Sequence, residues 1–115
     1  MKYTIEHIDS IVVFAIKNKK IDTEISADLK EQLLIVSQPD IKALIVDITD
    51  VESIDDSGIS SFLLAERQLS DHGVPMAFVG ACDNIQETLR ILNLHKLFDF
   101  FDTTEEAKTT ISQAL

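Results

Sequence analysis

The sequence predicts an α/β fold with a four- to five-stranded, mostly parallel sheet, an antiparallel first strand and about four helices. Three observations carry that expectation. Short, nearly unbroken apolar runs at Ile11–Ile16, Ile41–Ile48 and within "VPMAFVG" have the composition of strands buried on both faces. Between them lie segments whose apolar residues recur three and four apart, as on one face of a helix. The two kinds of segment alternate, so successive strands need helical crossovers and run parallel. At 115 residues the chain is one domain's worth, 1–115, and its 45% hydrophobic content suffices for a packed core and is too high for a disordered segment.

In chain order the elements read β-β-α-β-α-β-α-(β)-α. "YTIEHIDSIVVFAIKN" gives two strands with a turn near His7 to Ser10, the second strand central in the sheet. "DTEISADLKEQLLIVSQ" gives a helix with Ile25, Leu29, Leu33 and Val36 on one side, Glu24 and Asp28 near its start, and Pro39 beyond its end. A second helix follows the buried Ile41–Ile48 strand, with Ile59, Phe62, Leu63 and Leu69 as its apolar stripe, Glu66 interrupting the stripe, and Gly73 suited to the left-handed position that ends a helix. After "VPMAFVG", "NIQETLRILNL" gives a third helix carrying Ile85, Leu89 and Leu92. "LFDFF" reads as a short edge strand, and "TTEEAKTTISQAL" opens with a threonine cap and a glutamate at capping-box spacing.

The net charge of −10, from 20 acidic and 10 basic residues, repels nucleic-acid phosphates and anionic lipid, so no nucleic acid and no membrane surface is expected as a partner. No apolar run approaches the length of a membrane span, and the N-terminus lacks the apolar stretch of a signal peptide. The single cysteine, Cys82, excludes an internal disulfide and reads as a small, half-buried residue at a helix start, with a cytoplasmic protein as the default. No phosphate-binding glycine loop, metal-ligand spacing or nucleophile elbow is present, so no cofactor, no metal and no enzymatic activity are expected.

Chemistry is crowded at one place, "SIDDSGISSFLL", where Asp55, Asp56, Ser57 and Gly58 stand at the mouth of the second helix. In an open α/β sheet functional loops gather at the carboxyl ends of the strands, and this loop follows the end of a buried strand. A helix start needs one Asp or Ser as a cap. Three polar groups are available here, and the same place welcomes a phosphate. The histidines His7, His72 and His95 supply no recognisable base for a serine nucleophile.

"ALIVDITDVESIDDSGISSFLLAERQL" resembles the core of the anti-sigma factor antagonist family, the STAS domain, in which a strand ending in Asp leads through a loop to Asp-Ser-Ser/Thr-Gly and an apolar helix. "KKIDTEISADLKEQL" resembles the family's earlier Gly-x-Leu-Asp segment, and the stretch from "VPMAFVG" to "TTEEA" resembles its end, so the likeness spans essentially the whole chain. It implies a single STAS-like domain that takes part in transcription regulation by partner switching. The implied partner is a histidine-kinase-like ATPase acting as anti-sigma factor and serine kinase, with a serine phosphatase as a second candidate. Asp55 matches the motif Asp, Ser57 the second hydroxyl, Gly58 the glycine and Asp22 the Asp of the earlier segment. Asp56 falls where the family has its phosphoacceptor, which leaves Ser57 as a possible shifted acceptor, and Lys19 stands where a glycine is common. A different class, a receiver-type phosphoacceptor domain, is the alternative: Asp47 ends a buried strand as a receiver's acceptor does, but the paired acids after the first strand are absent.

Overall fold

The computed structural model describes residues 1–114. Every residue of "IVVFAI" is buried, because β2 (Ile11–Ile16) lies inside the sheet with helices on both faces. It pairs antiparallel with β1 (Tyr3–Ile8) and parallel with β4 (Ala43–Asp47), which continues through β6 (Met76–Val79) to β7 (Asp99–Phe101) in the order β1-β2-β4-β6-β7. Side chains alternate between faces along a strand. Val12, Phe14 and Ile16 therefore join a cluster with Ile25, Leu29 and Leu33 of α1 (Thr23–Val36), Phe62 and Leu69 of α2 (Asp56–Ser70) and Ile85 and Leu89 of α3 (Asp83–Ile91). Ile11 and Val13 point the other way, to Ala107 and Ile111 of α4 (Thr104–Ala114). Phe78 of β6 centres an aromatic group, with the rings of Phe62 and Phe98 at 5.0 and 4.9 Å.

The expected helices and long strands are all present, with local differences. The first turn is confined to Asp9 and Ser10, at φ 50° and 70°, the left-handed pair of a two-residue hairpin, whose twist matches that of the strands it joins. Leu63 is only half-buried, and Ser61 and Ala65 complete the buried face of α2. Leu92 is 46% exposed rather than part of the α3 stripe. The helix stops at Ile91 because Asn93 turns left-handed (φ 59°) and the Leu94 amide folds back to the Leu89 carbonyl at 2.8 Å. Gly73 takes the expected left-handed conformation (φ 70°), and Thr103 Oγ1 caps α4 by accepting from the Glu106 amide at 3.1 Å. Two short strands had no counterpart among the sequence-predicted elements: β3 (Lys20–Ile21) and β5 (Ser53–Ile54) form a separate parallel ribbon.

Candidate functional site

That ribbon positions the crowded loop. Lys20 pairs with Ser53 and Ile21 with Ile54. The Lys19 carbonyl accepts from the amides of Glu52 (2.7 Å) and Ser53 (3.3 Å), and the Ile21 carbonyl from the amide of Asp55 (3.0 Å). Lys19 is not left-handed, so this turn forms without a glycine. The two chains leave the ribbon together, at Asp22 and Asp55. Each is extended in backbone and each is the N-cap of a helix, α1 and α2 respectively. The fold thus brings Asp22 beside the Asp55–Gly58 segment, 33 positions later in sequence.

The two caps are not equally engaged. Asp22 Oδ1 accepts one bond, from the Glu24 amide at 3.0 Å. Asp55 Oδ1 accepts the amides of Ser57 (3.0 Å) and Gly58 (3.1 Å) and the Ser57 hydroxyl at 2.6 Å. Foremost that hydroxyl, then the Gly58 amide, with smaller help from the Ser57 and Thr23 amides, hold the Asp55 carboxyl below its usual value against partial desolvation. Asp56, the first residue of α2, is exposed, while Ser57 is half-buried with its hydrogen directed at Asp55. Farther along, the buried Ser61 hydroxyl lies 3.0 Å from the Ser57 carbonyl and 3.3 Å from that of Ser26, bridging α2 to α1.

Gly58 follows Ser57 in the first turn of α2. It is buried, and a Cβ there would lie 2.5 Å from Ile21 Cγ2 and 2.8 Å from Ile54 Cγ1. The absence of a side chain therefore lets α2 close onto the ribbon. Cys82 caps α3 without a side-chain cap bond and is half-buried. Asn84 Nδ2 donates to the Glu52 carbonyl at 3.0 Å, tying the start of α3 to the same loop. Asp47, the acceptor in the receiver alternative, has Oδ1 engaged by the Thr49 amide (3.0 Å) and hydroxyl (2.6 Å). Among the described residues no group of three His, Cys, Asp or Glu could hold a metal ion, and no helix is long and apolar enough to cross a membrane.

Residues 2–107 match the STAS domain family model. The chain belongs to the STAS domain family, which sets the receiver alternative aside. Its fold is that of solved anti-sigma factor antagonists. An anti-sigma factor antagonist from Mycobacterium paratuberculosis is 19% identical with a TM-score of 0.84, over 96% of this chain and 93% of that one. The anti-sigma factor antagonist SpoIIAA in its unphosphorylated form is 14% identical with a TM-score of 0.83, over 99% of both chains. The Bacillus cell fate determinant SpoIIAA in the phosphorylated form is 15% identical with a TM-score of 0.75, over 96% of this chain and 99% of that one.

Proposed function

We propose that this chain is an anti-sigma factor antagonist-like regulatory module that engages a histidine-kinase-like ATPase through Asp22, Asp55, Asp56 and Ser57, and that it is not switched by phosphorylation at the usual position. The observation that carries the reading is the division of labour in the loop. Asp55 is consumed by capping, Asp56 is the exposed group at the acceptor position, and the hydroxyl of Ser57 is held by the Asp55 carboxylate. Asp56 presents a fixed charge of −1, against about −1.5 to −2 for a phosphoserine. A phosphate on Ser57 would face the helix N-terminus, which favours it by about 0.3–1 kcal/mol per charge, but would adjoin two carboxylates and displace the Ser57–Asp55 bond. The module acts by binding, and a serine phosphatase finds no ester to remove.

The test uses the purified chain with its cognate ATPase. Amide shifts are expected at Asp22, Asp55, Asp56 and Ser57; shifts confined to α4 remove the proposal. With ATP added, the wild type stays largely unlabelled and Asp56→Ser gains phosphate. Stoichiometric labelling of wild-type Ser57 overturns the unswitched reading and moves the acceptor by one residue.

A further inference from the structure

An open groove of about 500 Å³ runs between α1 and α2 and begins at Ser57. Ser26 and Lys30 line it from α1, and Ser60, Leu63, Leu64 and Arg67 from α2. In a chain with twice as many acidic as basic residues, this groove is lined by two cations and by no carboxylate. Lys30 and Arg67 are exposed. Like most of the chain's basic residues, neither is in an ion pair among the described residues, so both charges are available to a ligand. Leu63 and Leu64 are half-buried and give the floor an apolar strip.

The groove has a length scale. The ribbon register sets the two caps side by side, Lys30 lies eight residues beyond Asp22 and Arg67 twelve beyond Asp55. At the helical rise the two cations are offset along the groove by about 6 Å. Carboxylates four residues apart on an occupying helix have that same offset. We infer that the α1–α2 groove docks an amphipathic helix of the partner protein, its leucine-type face on Leu63 and Leu64 and its acidic flank on Lys30 and Arg67, and that these two cations select the partner. The inference rests on the binding-module reading above, to which it adds the chemistry of the partner's contacting segment. An anionic membrane fits less well, because the net charge of −10 repels it.

The probe is a stapled helix of about four turns, long enough to hold its shape, with leucines along one face and glutamates four residues apart beside them. A control peptide carries lysines in place of the glutamates. Added to the isotope-labelled full chain, the glutamate peptide is expected to shift the amides of Ser26, Lys30, Ser60, Leu64 and Arg67 and to bind more weakly as salt is raised. The lysine peptide, and the Lys30→Glu/Arg67→Glu variant with an unchanged thermal melt, should each lose about tenfold or more in affinity. Equal binding of the two peptides overturns the inference. So do shifts elsewhere on the surface, or a larger response of the same amides to anionic phospholipid vesicles than to the peptide. The two readings fail separately. Groove shifts with the peptide but no loop shifts with the ATPase remove the ATPase and keep the groove. ATPase affinity left unchanged by Lys30→Glu/Arg67→Glu removes the groove and keeps the ATPase.

Discussion

Asp22 and Asp55 occupy equivalent places, each the first residue after a strand of the β3–β5 ribbon and each the cap of a helix packed on the same face of the sheet. Asp22 accepts a single amide, whereas the acceptor oxygen of Asp55 takes two amides and a hydroxyl. Beneath Asp55 a glycine brings the helix down onto Ile21 and Ile54. One start is an ordinary capped helix; the other is held by more contacts than capping requires. In the binding role proposed above, such rigidity would favour affinity, because less freedom is lost on binding.

The strongest way to break the contrast is Gly58→Val. The added carbons meet two isoleucines of the ribbon, so unfolding in urea should show a loss of about 2–3 kcal/mol. A small loss would mean that the loop is looser than its bonds suggest. Next comes the pair Asp22→Ala and Asp55→Ala. The first should cost about 1 kcal/mol, the ordinary value of a cap, and the second more, with its thermal midpoint the lower of the two. Equal losses would erase the distinction.

The same contrast can be sharpened with acid. The Asp55 carboxyl is depressed in the folded state, so its contribution is fully present above the usual value of 3.8 and is lost as pH falls through the lower folded value. Asp55→Asn should therefore flatten the acid limb of the stability curve in that window. The smallest effect is expected for Asp56→Ala. Exposed at the first helical position, Asp56 contributes only its charge to the helix start, and thermal unfolding should register a change below about 0.5 kcal/mol.

Sequence periodicity disclosed the sheet because β2 and β6, and β4 up to its terminal Asp47, are buried on both faces and apolar. It could not disclose β3 and β5, each two residues long, whose pairing rests on backbone bonds between residues over thirty positions apart. Leu92 continues the three-and-four spacing from Leu89, but Asn93 reverses the backbone one residue later and leaves Leu92 facing solvent. The polar residues of the loop were legible as a crowd. Their roles were not, because which carboxylate caps and which stays exposed depends on the ribbon. Gly58 held the one available signal: a residue that disfavours helices by about 1 kcal/mol, placed in a first turn, points to something close on its far side.

The hairpin turn at Asp9 and Ser10 leaves this chain a margin it does not use. Both residues are left-handed without being glycine, a conformation that Asn-Gly adopts with less strain. The turn lies outside the contact surface proposed for the loop. Evolution or engineering can therefore raise the melting temperature there without touching the recognition chemistry, and a destabilising change at Asp55 or Gly58 could be rescued from a site that shares no contact with them.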